Sequence, residues 1–308
     1  MNIERIILCG GINMERGKSI NLFLMDGNAI GRITCTLTNW TGVTYKIPRT
    51  ALDKCKERCD LKQSGIYFLF GTSDDTGDNI VYVGQEEKKK NGEGLLYRLQ
   101  EHNRNSDKDY WTEAIVFTTS NNSFGPTEIS YLENRFYRLA LETHRYNVVN
   151  SNDPTQGNVT EEKESELEEF IDYSRIVMGA LGHKVFEPVV AAKNTTEAVA
   201  AFDDEPLLYF KRANINAATG RRTSEGFVVL KESTVVSELK NSCPKNVVKL
   251  RERYKNRINS NYILTEDLLF ASPSAAAAFV GGYSLNGNET WKTADGISLK
   301  YLETSERQ

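Results

Sequence analysis

The sequence predicts an α/β chain of the α+β kind, arranged as three blocks. Three observations predict it. Short runs rich in β-branched and aromatic residues, bounded by Gly, Asn and Asp turns, recur up to about residue 118. After residue 90, segments with apolar residues at helical spacing alternate with them. A small, polar stretch at 191–205 then precedes a last block that begins near Asp203. The expected division is a β-rich domain over 1–60, a central α/β domain over 61–190 and an α+β domain over 203–308.

Bulk composition narrows the classes. The chain has 308 residues, 39% hydrophobic and 26% charged, enough for two or three domains that each bury a core. No apolar run approaches the roughly 20 residues of a membrane span, and the start lacks the basic segment of a signal peptide. A cytoplasmic protein without a membrane partner is expected. Five scattered cysteines fit reduced thiols, with Cys55 and Cys59 read as buried thiols and not as a zinc site.

In the first block, RIILCG, SINLFLMDG and GRITCTLTN read as strands, and PRTALDKCKERCD reads as a helix starting after Pro48. The stretch ending in Gly17-Lys18-Ser19 imitates a phosphate-binding loop. That loop needs a glycine where Ile12 stands, and Gly11 is one place too early, so ATP binding is not expected there. No role is assigned to this block.

The second block opens with SGIYFLFG and NIVYVGQ, joined by the turn formers TSDDTGD, which together read as a β-hairpin. After a polar loop, LLYRLQEHNRN forms a helix with Leu95, Leu96 and Leu99 on its apolar side. Arg98 and His102, four apart, share one face. A guanidinium and an imidazole aimed at one point suit an anionic substrate, although a surface helix carries such pairs too. A third strand follows from Trp111 or Glu113 through Thr118, then a helix from near Thr127 with the apolar stripe Ile129, Leu132, Phe136, Leu139 and Ala140. Glu133 lies at the margin of that stripe, a reasonable place for a carboxylate that holds a hard divalent cation. The block closes with the pair Tyr146-Asn147.

Taken in order, Gly65-Ile66-Tyr67, Tyr82-Val83-Gly84, Arg98, Glu133 and Asn147 resemble the GIY-YIG nuclease domain over residues 63–150. Val83 replaces the usual Ile, and both the hairpin turn and the loop before Arg98 are longer than is usual in that family. The resemblance implies a small three-stranded antiparallel sheet flanked by helices, and a metal-dependent endonuclease that hydrolyses phosphodiester bonds. Glu133 would hold one Mg²⁺ or Mn²⁺, and Arg98 would neutralise the phosphate. Tyr67 would help remove the nucleophile's proton with Tyr82 positioning it, and Asn147 would support the site. Tyr67 needs its hydroxyl brought down by Arg98 or the metal, whereas His102 is the rival base with the better matched ordinary pKa.

In the third block, YFKR…GFVVL reads as strand, basic loop over 213–226, and strand. Further on, Ser272-Pro273-Ser274-Ala275-Ala276, Gly281 or Gly282, Asn286-Gly287 and Trp291-Lys292 resemble the DUF4357 domain and the small RAMA modules of restriction–modification proteins. Ser272 or Ser274 should cap a short Ala-rich helix, Asn286-Gly287 should turn into a strand carrying Trp291, and Trp291 is read as core. Net charge is −4, yet basic residues dominate from 207 to 258. Lys211, Arg212, Arg221, Arg222, Lys249, Arg251 and Arg253 are the candidate nucleic-acid contacts, with DNA the expected partner. The alternative reading is a non-catalytic nucleic-acid-binding module that has kept the fold.

Overall fold

The computed structural model describes residues 17–73, 77–90, 92–105, 108–188, 205–212 and 215–305. The expected first strand at 5–10, the false phosphate loop up to residue 16 and nearly all of the polar stretch at 191–205 lie outside the described residues.

The strands are β1 (Ile20–Leu24), β2 (Ile33–Leu37), β3 (Gly42–Pro48), β4 (Gly65–Thr72), β5 (Asn79–Glu86), β6 (Trp111–Thr119) and β7 (Asn147–Val148). They form one seven-stranded sheet in the order β1-β2-β3-β6-β4-β5-β7. Neighbours are antiparallel except for the short β5–β7 pair. The three-stranded sheet expected for the central block is therefore larger than anticipated. β3 pairs with β6 along its whole length, so strands on both sides of residue 60 belong to one sheet. The reason is physical: β6 would otherwise expose an edge, and the alternating Ile33, Cys35 and Leu37 of β2 need a core to enter.

Three helices cover this sheet: α1 (Leu95–Arg104) on one face, α2 (Pro126–Thr143) and α3 (Glu161–Ala180) on the other. The pleat of β4 sorts the side chains. Ile66, Phe68 and Phe70 enter the core with Leu132, Phe136 and Phe170, whereas Tyr67 and Leu69 enter the core with Leu95 and Leu99. Six successive residues of β4 are buried, as expected of a central strand covered on both sides. The acidic run at 161–172 forms the start of α3, capped by the Thr160 hydroxyl, which accepts from the Lys163 N–H. The expected helix after Pro48 is a 3₁₀ segment, Arg49–Cys55, without a side-chain cap. Cys55 is buried as expected, but Cys59 is exposed beyond that segment.

The remaining strands, β8 (Leu208–Arg212), β9 (Ile215–Thr223), β10 (Gly226–Val229) and β11 (Leu268–Phe270), make a four-stranded sheet in the order β11-β10-β9-β8. The basic loop expected over 213–226 is mostly strand β9. Its small residues are core residues: Ala218 is buried, and a Cβ at Gly220 would overlap the Phe227 ring. Helices α4 (Lys245–Arg253), α5 (Pro273–Gly281), α6 (Gly287–Thr290) and α7 (Leu299–Ser305) complete the unit. Ser272 is the cap of α5, accepting from the Ala275 N–H, whereas Ser274 accepts from the Gly287 N–H. Asn286-Gly287 begins the single turn of α6 and not a hairpin into a strand. Trp291 is fully buried, packs at 4.6 Å from Phe227 and donates its indole N–H to the Pro273 carbonyl.

Candidate active site

The site forms where β5 runs past its short neighbour. β7 pairs only with Ile80 and Val81, so the outer edge of β5 is free of strand pairing from Tyr82 onward. Side chains from both faces of the sheet can meet at such an edge. Tyr67 on β4 stands opposite Gly84, and Tyr82 stands opposite Leu69, so both tyrosines lie on the α1 face. Their rings are 6.2 Å apart and inclined by 27°. Gly84 makes this possible, since a Cβ there would overlap the Tyr67 ring and hydroxyl. Gly65 likewise lets β4 approach the Phe117 carbonyl of β6.

Helix α1 brings Arg98 and His102 over the two tyrosines. The Tyr67 hydroxyl lies 2.7 Å from His102 Nε2 in a buried contact, and the Tyr82 ring is 5.4 Å from the imidazole. Burial, with Lys108 and Arg98 as neighbouring cations, pushes His102 down to about 3, so its ring is neutral at pH 7. A neutral imidazole can accept the Tyr67 proton at Nε2. Burial also lifts Tyr67 well above the ordinary phenol range, and Tyr82 adds to the effect; the opposing pull of Arg98 is weaker. Of the two agents expected to bring the Tyr67 hydroxyl down, Arg98 or the metal, Arg98 is outweighed by desolvation. Arg98 itself is hydrogen-bonded to Tyr67 and paired with Glu101 at 2.8 Å and Glu86 at 3.8 Å.

Glu133 reaches the same place from α2 on the opposite face. Its carboxylate accepts from the side chain and backbone of Gln85 and feels the charge of Arg98. Burial nevertheless pushes it up to about 7. It raises both tyrosines in turn, which places it in the electrostatic field they share. Among the described residues no group of three or more His, Cys, Asp or Glu converges as a metal cage. A single carboxylate fits a different class of site. Mg²⁺ commonly keeps several waters and takes one or two protein carboxylates together with substrate phosphates. A desolvated carboxylate with too little positive charge beside it is the donor that such a cation would satisfy.

Five of the six expected residues, Tyr67, Tyr82, Arg98, His102 and Glu133, thus converge. Asn147 does not join them. Its exposed side chain lies on β7, opposite Ile80. The supporting amide is instead Asn150, which donates to the Val83 carbonyl at 2.7 Å and accepts the Val83 N–H at 3.0 Å. Asn150 closes the edge of β5 between Tyr82 and Gly84, replacing the strand that β7 fails to supply. Its signal in the sequence was the second Asn of NVVN, three places beyond the one chosen. Lys108 is a second residue missed: its Nζ sits 3.3 Å from the centroid of the Tyr82 ring. Burial, followed by the charge of Arg98, pushes that ammonium down to about 8.

The basic residues of the second unit are less free than their sequence suggests. Arg251 donates to the carbonyls of Phe279 and Val236 and lies over the Phe279 ring. Arg222 holds Glu205 with two hydrogen bonds of 2.7 and 2.8 Å. Arg253 crosses to the first unit, donating to the Asp78 carboxylate at 2.6 Å and the Gly77 carbonyl at 3.2 Å. Three of the candidate nucleic-acid contacts therefore hold the protein together. Arg221 is half-buried on β9, Lys211 and Lys249 are exposed, and the Arg212 side chain lies outside the described residues.

Among the described residues no helix is long and apolar enough to cross a membrane. No curated protein and no solved structure matches the chain. Residues 208–303, the second unit from β8 into α7, match the family described as Domain of unknown function (DUF4357).

Proposed function

We propose that the chain is a metal-dependent endonuclease whose catalytic site is the cluster at the free edge of β5. The observation that carries this reading is the convergence of the Tyr67–His102 pair, Arg98 and Glu133 on one edge, reached from both faces of the sheet. The order of these residues along the chain is that of the GIY-YIG nucleases, which the sequence resembles. DNA is the proposed substrate, because of the restriction-associated modules that the C-terminal unit resembles. That unit would contribute backbone contacts through exposed lysines such as Lys211 and Lys249.

Each residue has a task that follows from its surroundings. Arg98, held by Glu86 and Glu101, presents its charge to the scissile phosphate from a fixed position. Tyr67 takes a proton from the attacking water at its hydroxyl oxygen while passing its own to His102 Nε2, so the phenol never becomes a free phenolate. Burial is the first cause that depresses His102; an arriving phosphate offsets the second, the charges of Lys108 and Arg98, and to that extent makes the imidazole a better acceptor as substrate binds. Tyr82 packs beside the pair and keeps both rings in place. Glu133 and Gln85 would hold the divalent ion, which supplies charge stabilisation at the phosphate and the leaving oxygen.

The test is cleavage of single- and double-stranded DNA, modified DNA and RNA with Mg²⁺, Mn²⁺ or EDTA. Wild type is compared with Glu133→Ala, Arg98→Ala and His102→Ala. Metal-dependent cutting abolished by Glu133→Ala and Arg98→Ala is the expected result. Cutting that survives both places the chemistry elsewhere, and binding without cutting returns the protein to the non-catalytic module.

A further inference from the structure

Among the described residues, the charge balance of the site leaves one cation over. Arg98 is flanked by two carboxylates, Glu101 at 2.8 Å and Glu86 at 3.8 Å. Lys108 is half-buried at the same site, 3.3 Å from the Tyr82 ring centroid, and among the described residues no carboxylate pairs with it. Its backbone is fixed, since its N–H donates to the Asn105 carbonyl just beyond α1. A desolvated ammonium resting on a ring face gains far less than it would from an anion, because a cation–π contact is worth about 0.5–2 kcal/mol. An ammonium held half out of water, with no counter-ion among the described residues, is poised for one.

The position says what that anion is. Tyr82 is the neighbour of both Tyr67 and His102, with ring distances of 6.2 and 5.4 Å. A group lying over the Tyr82 ring therefore stands beside the Tyr67–His102 pair, where it can flank the reacting phosphate. Lysine suits this task as a compact point charge on a flexible stem, whereas Arg98 supplies the oriented fork. We propose that Lys108 is a second phosphate-binding cation of the site, taking a non-bridging oxygen of a backbone phosphate next to the one held by Arg98. This assignment rests on reading the site as one that receives a nucleic-acid strand. It explains why a lysine that pairs with no carboxylate among the described residues stands beside a buried histidine that its charge disfavours.

The experiment is a salt titration of binding by the full chain in EDTA, where nothing is cut. Fluorescence anisotropy would follow a labelled 20-base-pair DNA duplex and the corresponding single strand, between 50 and 200 mM KCl. Wild type, Lys108→Met and Lys108→Arg are compared. Methionine keeps an unbranched apolar chain on the Tyr82 ring and removes only the charge. One phosphate contact contributes about 0.9 to the slope of log affinity against log salt on duplex and about 0.7 on a single strand. Lys108→Met should therefore lose about 3.5-fold less affinity than wild type across this range on the duplex, and Lys108→Arg should restore the wild-type slope. A Lys108→Met slope equal to that of wild type overturns the assignment, as does absence of binding to either probe. Metal-dependent cutting by the wild-type protein is measured in parallel. If the slope falls as expected but no cutting occurs, Lys108 stands as a phosphate contact and the nuclease reading is what fails.

Discussion

Gly84 decides more than its absent side chain suggests. It sits beneath the Tyr67 ring on the neighbouring strand, and any Cβ there would overlap the ring and hydroxyl. Gly84→Ala should leave the sheet folded, because β5 keeps its pairing with β4, but it must tilt Tyr67 away from His102. A displacement of about 1 Å in a catalytic group can cost ~10²-fold, so cleavage should fall by about that factor with an unchanged circular dichroism spectrum. Retained activity would mean that Tyr67 is not positioned by this packing. Glu133 offers a test that needs no substrate. In the folded chain it holds its proton up to about pH 7, against an ordinary 4.5, so folding takes up a proton between these values. Stability from this group is complete below pH 4.5 and is lost as the pH rises through 7. Glu133→Gln should match wild type at pH 4.5 and exceed the metal-free wild type at pH 8 by about 2 kcal/mol, after allowance for partial solvation. Thermal midpoints at the two pH values check this; equal midpoints at pH 8 would show a well-solvated carboxylate. Tyr67, Tyr82, Arg98, His102 and Glu133 were picked from the sequence by residue type and order, and the fold brings them together. What was not legible was their ionisation, which depends on burial supplied by β6, α1 and α2 together.

Among the elements, β5 shows how a broken strand edge becomes a site. β7 covers only its first half, and the Asn150 side chain takes over at Val83 by bonding both the N–H and the carbonyl. Asn150→Ala would leave two backbone groups of β5 without these partners and should cost about 1–3 kcal/mol, with a parallel loss of cleavage. Asn147→Ala, at an exposed position, should stay within about 0.5 kcal/mol of wild type. Urea unfolding of the two variants would separate these roles, and equal effects would mean that β7 and not Asn150 secures the edge. The pair also shows where sequence reading stops. Asn147 and Asn150 are three residues apart in NVVN, and only the length of β7 decides which one faces β5. The strand hidden at 215–223 failed for another reason. Ala, Gly and Asn have low strand propensity, and Ala218 and Gly220 occupy β9 because large rings such as Phe227 lie against it. Alternation marks β2, and runs of β-branched and aromatic residues made β4 and β5 readable; a strand chosen for small volume carries neither pattern. The clean break expected near residue 60 failed because the pairing of β3 with β6 is a long-range contact that local patterns do not encode.

At the level of the whole molecule, the apolar clusters on the two faces of the seven-stranded sheet are separate from that of the C-terminal unit, and ion pairs cross between the two units. Arg145 grips Glu225 with two bonds of 2.7 and 2.8 Å, and Lys184 adds a third contact to the same carboxylate at 3.4 Å. His144 lies 3.2 Å from Glu266, and Arg253 holds the Asp78 end of the turn joining β4 to β5. That turn connects the strands that carry Tyr67 and Tyr82, so the C-terminal unit docks on the hairpin of the candidate site. Arg253, a candidate nucleic-acid contact in the sequence, is thereby committed to docking. An interface of this kind should respond to ionic strength, because the screening length falls from about 10 Å at 0.1 M to about 3 Å at 1 M salt. The Arg145–Glu225 grip is the least solvated part, with Arg145 only 10% exposed, and its geometry is bidentate. Glu225→Gln combined with Asp78→Asn should therefore weaken docking at 0.1 M salt, where wild type stays closed. A compact chain of this length has a radius of gyration of about 20 Å. Small-angle scattering should find wild type near that value at 0.1 M salt and larger at 1 M, with the double variant already enlarged at 0.1 M. A double variant that scatters like wild type at both salt concentrations would mean that the units are held by contacts other than these ion pairs. The same titration, read beside the rate of cleavage, would then tell whether docking on the hairpin restrains the site or supports it.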